Sequence, residues 1–177
     1  LIGEGGENMI SVIPAANGTV SPQDAERAVS EMAEGDTLML QFEIPADAIE
    51  ASLKAAKAKR VTTIINTAPL TADAARLSKL ANIVIANETE FELLIGKNGL
   101  SSSDREKELS ALHAETGQTL IVTLGADGVI AIRNGKLFKA MGLNIEPVDT
   151  VGAGDTFCGY LAASLDAGMD FEKALRR

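Results

Sequence analysis

The chain has 177 residues with 25 acidic and 16 basic side chains, a net charge of −9, and 46% hydrophobic but only 3% aromatic residues. This acidic, aromatic-poor balance excludes non-specific nucleic-acid binding, which needs basic groups against phosphates or rings that stack on bases, and the length suits one domain with a sizeable core. The sequence shows no stretch of roughly 18 apolar residues for a membrane span, no basic-then-apolar leader at its start, and one cysteine, Cys158, with no Cys or His cluster, so a cytoplasmic protein without disulfides, zinc or iron is expected.

In chain order, Leu1 and Ile2, the glycine-rich Gly3 to Gly6, and the apolar Met9, Ile10, Val12 and Ile13 before Pro14 are expected to make two short strands about a turn. From Pro22 onward, β-branched runs alternate with segments of helical period, the pattern of βα units feeding a largely parallel sheet. Strands are predicted near 37–41, 61–65, 83–86 and 119–123. Two more, near 128–132 and 136–139, flank a hairpin turn at Arg133, Asn134 and Gly135. Ser21 and Asp24 cap a helix predicted to reach Ala33, with Pro22 at its first position. Pro45 opens a second helix, on which Ile49 and Leu53 recur, and Ser103 with Glu106 is expected to form a capping box before Leu109 and Leu112. His113 is expected to be structural, and Cys158 a packing residue. A last helix begins at Phe171 and has no stop signal before Arg177.

The run from Asp149 to Phe157 carries the strongest chemical signal. Gly152, Ala153 and Gly154 let the backbone pass close to a ligand, and Phe157, Leu161 and Leu165 mark a helix that opens there and that Gly168 can end. Free amides and the positive end of that helix suit a phosphoryl group, with no lysine required. Asp155, in the same turn, is placed to accept a proton from a hydroxyl nucleophile, although an aspartate in a first helical turn is also favoured by the helix dipole alone. Asn87 and Glu90 follow a strand with the spacing of a capping box, which is their plain structural reading.

The string from Asp149 to Phe157 resembles the C-terminal signature of the ribokinase, or PfkB-type, carbohydrate kinases. The resemblance implies Asp155 as catalytic base, Gly152, Ala153 and Gly154 as the anion hole, and Asp149 with the Val151 carbonyl as a monovalent cation site, usually for potassium. Three further stretches match in order. Asn87 and Glu90 resemble the pair that arranges phosphate-bound magnesium, Glu90 acting through water; Thr123, Gly125 and Gly128 resemble the nucleotide loop; and Glu43, in the stretch Gln41 to Pro45, resembles a carboxylate beside the sugar. Gly6, Glu7 and Asn8, with Ala15, Ala16 and Asn17, are similar to part of a small β lid, and Asn66 to Pro69 also fits without an assigned chemical role.

The fold expected is therefore α/β, three-layered, with a mainly parallel sheet between helices: residues 1–17 a lid remnant, residues 18–177 the nucleotide-binding and catalytic core. The implied reaction is phosphorylation of a sugar hydroxyl by ATP with magnesium and potassium, ribose to ribose 5-phosphate being the first assignment. A kinase of another sugar such as fructose, or of a nucleoside, and a non-catalytic binding module remain the alternatives; a pure sensor has no need of a base such as Asp155. The resemblance also implies segments before Leu1 and after Arg177, so the chain alone is expected to be inactive and the complete protein to be able to dimerise through its lid.

Overall fold

The computed structural model describes residues 13–146 and 149–176; the strands expected around Gly3 to Gly6, and with them most of the lid remnant, lie outside the described residues. Strands β1 (Thr37–Leu40), β2 (Thr62–Asn66), β3 (Ile83–Asn87), β4 (Thr119–Thr123), β5 (Val129–Arg133) and β6 (Lys136–Ala140) form one sheet in sequence order. The first four are parallel, and β5 and β6 join as an antiparallel hairpin pair. Helix α1 (Pro22–Ser30) precedes β1; α2 (Ala46–Lys59), α3 (Ala72–Leu77), α4 (Glu88–Leu94) and α5 (Ser102–Thr116) lie in the crossovers; α6 (Ala153–Asp166) and α7 (Phe171–Leu175) follow β6.

Successive strand residues point to opposite faces, so strands that are apolar at nearly every position need cover on both sides. Ile65, Val84, Leu120 and Val122 meet Leu53, Leu77, Phe91 and Leu109 from α2 to α5 on one face. Ile64, Ile85, Ile121 and Ala131 meet Cys158, Leu161, Phe171 and Leu175 from α6 and α7 on the other. The layers are thus helix, sheet, helix. Leu161, fully buried at the centre of α6, holds that helix to the sheet, and truncation to alanine would cost about 2–5 kcal/mol.

Local chemistry sets the element ends. Ser21 and Asp24 exchange side-chain and backbone bonds at the start of α1, as expected, but α1 stops at Ser30 rather than Ala33, because the Ala33 amide turns to donate to the Asp36 carboxylate. The cap of α5 is Ser101 with Asp104, not Ser103 with Glu106. Ser101 and Ser103, two of three consecutive serines, offer the same spacing to an acid, and the earlier start also turns the buried Arg105 toward Glu88, 2.6 Å away. Gly168, at φ +74, ends α6, and Asn134 and Gly135, both at positive φ, make the predicted hairpin turn. His113 is structural: its Nδ1 donates to the Gln118 carbonyl and its Nε2 accepts from the Gly135 amide, clipping the end of α5 to that turn.

All four parallel strands end at one edge, where polar residues replace the apolar run: Gln41 just beyond β1, Asn66 on β2, Asn87 on β3 and Thr123 on β4. Asn87 and Thr123 are direct register partners. In sheets of this type ligands bind beyond the carboxyl ends of the strands, and the start of α6 lies over that edge.

Candidate active site

The turn into α6 is built by its own backbone. Asp149 Oδ1 accepts the Val151 amide at 2.8 Å, the Ala153 amide donates to the Thr150 carbonyl, and the Thr156 amide donates to the Gly152 carbonyl. Gly152 takes a left-handed conformation at φ +77, which a side chain would strain, and it caps α6 without a side-chain hydrogen bond. The amides of Gly154 and Asp155 consequently find no partner among the described residues. A Cβ added at Gly152 or Gly154 would meet nothing within 4 Å, so these glycines leave open space for a ligand rather than relieve an internal clash. Two free amides at the start of a 14-residue helix make an anion site.

Asp155 stands in that first turn and shares a cleft of about 170 Å³ with Asn66, Asn87, Glu90, Thr123 and Gly154. Gln41 and Cys158 also line it. Glu90 and Asn87 form a full capping box on α4: Asn87 Oδ1 accepts the Glu90 amide at 2.8 Å, and Glu90 Oε2 accepts the Asn87 amide at 2.9 Å. The structural reading of this pair holds, and the cap fixes the Glu90 carboxylate at the cleft wall. Burial pushes the Cys158 thiol up to about 11, opposed by a hydrogen bond from Asn66 and reinforced by the charges of Asp155 and Glu90. Two carboxylates thus act on one buried sulfur. Among the described residues no lysine or arginine lines this cleft, so the helix amides are what it offers an anionic ligand.

A second cleft of about 300 Å³ lies against the first and shares Thr123 and Gly154 with it. Gly125, Gly128, Met141, Phe157 and Arg176 contribute to its wall. Here two stretches of backbone touch: a Cβ at Gly128 would come within 2.1 Å of the Ala140 carbonyl oxygen, and one at Gly142 within 2.1 Å of the Ala126 carbonyl oxygen. The turn after β4 is thereby locked against the chain leaving β6.

Of the residues singled out from sequence, Asn87, Glu90, Thr123, Gly152, Gly154 and Asp155 meet in the first cleft, while Thr123, Gly125, Gly128, Ala153 and Gly154 line the second. Asp149 and Val151 lie in the turn just before; the Val151 carbonyl has no hydrogen-bond partner among the described residues. Glu43 sits exposed in the turn after β1 and lines neither cleft, whereas Gln41, two residues earlier, does. Asn66 and Thr67 were given no chemical role by their sequence, yet Asn66 lines the cleft and Thr67, fully buried, places its hydroxyl 3.2 Å from Glu90 Oε2. The available signal was their position, polar residues closing an apolar strand.

Among the described residues no three acidic, histidine or cysteine side chains gather as a metal cluster, and no helix is long and apolar enough to cross a membrane. The sequence matches the pfkB family carbohydrate kinases over residues 1–177. It is 31% identical to the ribokinase of Haemophilus influenzae over 99% of this chain and 57% of that protein. It is 32% identical to the ribokinase of Staphylococcus aureus over 93% of this chain and 54% of that protein. Among solved structures, the Arabidopsis thaliana ribokinase complexed with ribose and ATP superposes with a TM-score of 0.81 at 27% identity, covering 97% of this chain and 56% of that one. The chain spans about half the length of the curated relatives it matches. It belongs to the pfkB family of carbohydrate kinases.

Proposed function

We propose that this chain forms the phosphoryl-transfer core of an ATP-dependent sugar kinase, with ribose as substrate and ribose 5-phosphate as product. The observation that carries the reading is the meeting of Asp155, Glu90 and the unpartnered Gly154 and Asp155 amides in one cleft. ATP supplies the γ-phosphoryl group, and the residues fit it: amides and an uncapped helix start for its phosphates, and the second cleft, with Thr123, Gly125 and Gly128, for the rest of the nucleotide.

Asp155 takes the proton of the sugar hydroxyl as that oxygen bonds to the γ-phosphorus, the bond to the bridging oxygen breaks, and ADP departs with the electron pair. The turn of Gly152, Ala153 and Gly154 forms the anion hole: the Ala153 amide is held by the Thr150 carbonyl, and the unpartnered Gly154 and Asp155 amides steady the charge on the transferring group without reorganising. Glu90, arranged by Asn87, suits magnesium, an ion that keeps much of its water and needs few protein oxygens when phosphates complete its shell; its charge offsets the two carboxylates beside the phosphates. Among the described residues the Val151 carbonyl and the second oxygen of Asp149 have no hydrogen-bond partner, and these two oxygens are the donors for potassium. Glu43 is exposed in the turn after β1 and lines neither cleft, so its part at the sugar is that of a carboxylate at the open side of the site.

Ribose is supported by the relatives named ribokinase at 31–32% identity and by the Arabidopsis ribokinase solved with ribose and ATP. A second pentose is favoured by one further relative, a deoxyribokinase of Salmonella typhi at 27% identity over 96% of this chain. ADP release by the full-length protein, measured across ribose, deoxyribose, fructose and nucleosides, tests the reading: turnover with ribose above the others is expected, and ATP binding without turnover of any of them would leave a binding module instead.

A further inference from the structure

The two oxygens of the Glu90 carboxylate stand in different circumstances. Oε2 accepts the Asn87 amide at 2.9 Å and lies 3.2 Å from the Thr67 hydroxyl, while Oε1 has no donor among the described residues. Thr67 is fully buried at the end of β2, and its own amide donates to the Ile85 carbonyl at 2.9 Å. Its hydroxyl lies 3.3 Å from that same carbonyl and 3.2 Å from the carboxylate. One hydroxyl proton must choose.

We propose that Thr67 is a positioning residue for the divalent cation of this kinase: its buried hydroxyl fixes Glu90 Oε2 and thereby presents Oε1 to the hydrated ion in the cleft. The inference rests on the reading of Glu90 as the magnesium carboxylate. Both acceptors already hold one main-chain amide, but the carboxylate is charged and the stronger acceptor, so the proton goes to Glu90. Were it turned to Ile85 instead, two oxygen lone pairs would face each other 3.2 Å apart in a part-buried site. The threonine side chain is branched at Cβ and stiff, so the donor is held in place by packing rather than by chance. The strand end that holds it is itself tied down, since Asn66 Oδ1 accepts the Ala68 amide. With both anchors on Oε2, Glu90 cannot turn its other oxygen away from the cleft without losing one of them.

ATP binding to the full-length protein, followed by calorimetry across a magnesium series with no sugar present, tests this without turnover. Thr67→Val is expected to raise the magnesium concentration for half-maximal enhancement of ATP binding about three- to tenfold. This is at or below the usual loss for a removed outer partner, because the Asn87 amide remains on Oε2. ATP affinity without magnesium should stay as in the native protein, and Thr67→Ser should restore the native magnesium response. If Thr67→Val lowers the melting point too far, Thr67→Ala carries the same expectation. Added to Glu90→Gln, Thr67→Val should change nothing further. A native magnesium response in Thr67→Val, or a further shift on the Glu90→Gln background, overturns the positioning role while leaving Glu90 as the magnesium carboxylate. A native response in Glu90→Gln itself overturns the reading of Glu90, and with it that of Thr67.

Discussion

The Asn66 side-chain amide donates to the Cys158 sulfur across 3.5 Å, tying the end of β2 to the second turn of α6 beneath Asp155. The contact keeps the helix that carries the proposed base in register with the strand ends that form the rest of the cleft. The same burial that makes the contact possible opposes ionisation of the thiol.

Cys158 should therefore make stability fall at alkaline pH. Below about pH 9 the thiol is protonated whether the chain is folded or not; between about 9 and 11 the unfolded chain ionises and the folded one does not, so stability is lost over that window. Roughly 2 kcal/mol is at stake. Urea unfolding at pH 8 and pH 10.5 should show a steeper loss in the native protein than in Cys158→Ala, and equal losses would contradict the assignment. Iodoacetamide should react slowly with the folded protein at neutral pH.

Two glycines of the clefts should respond in opposite ways to alanine. At Gly128 a Cβ would press on the Ala140 carbonyl at 2.1 Å with φ at +97, and backbone cannot rotate away as a side chain does, so Gly128→Ala should cost about 2–4 kcal/mol. At Gly154 the Cβ meets open space in a helical turn, so Gly154→Ala should hold or raise stability by up to ~1 kcal/mol. Yet the methyl would stand where the phosphate approaches, and kcat/KM in the full-length enzyme should fall about 100-fold. Melting curves and kinetics on both variants check the contrast.

Much of the fold was legible because strands buried on both faces read as apolar runs, and because Ser21, Asn87 and Gly168 carry their local signals wherever they occur. The cap of α5 was misplaced because Ser101 and Ser103 stand at the same spacing from an acid, and the choice between them is made by the rest of the fold, where Arg105 meets Glu88 on the neighbouring helix. The lining of the cleft was legible where a local pattern marks it, as at Gly152 and Asp155, which the glycine-rich turn into α6 brings to its wall. It was not legible at Thr67 or Cys158, whose importance comes from contacts over 23 residues to Glu90 and 92 residues to Asn66. Gln41 rather than Glu43 lines the cleft because the chain has left β1 by residue 41 and turns outward at 43.

Potassium should raise kcat in the full-length enzyme more than sodium does. The Val151 carbonyl and Asp149 lie directly before Gly152, so an ion held there steadies the turn that aims the Gly154 and Asp155 amides. Initial rates at matched ionic strength check this, and identical rates with the two ions would remove the cation assignment without touching the role of Asp155.

Asp155→Asn is the most direct test of the central claim that Asp155 takes the proton from the sugar hydroxyl. The amide keeps the shape of the carboxylate but cannot accept that proton usefully, so kcat with ATP and ribose in the full-length enzyme should fall by roughly 100- to 10,000-fold. ATP affinity should hold or improve, because one negative charge beside the phosphates is gone, and the melting point should stay close to native, since the first turn of α6 is held by backbone bonds and not by the Asp155 side chain. Such a loss of turnover at unchanged stability is the result this account predicts, and a near-native kcat in Asp155→Asn would contradict it.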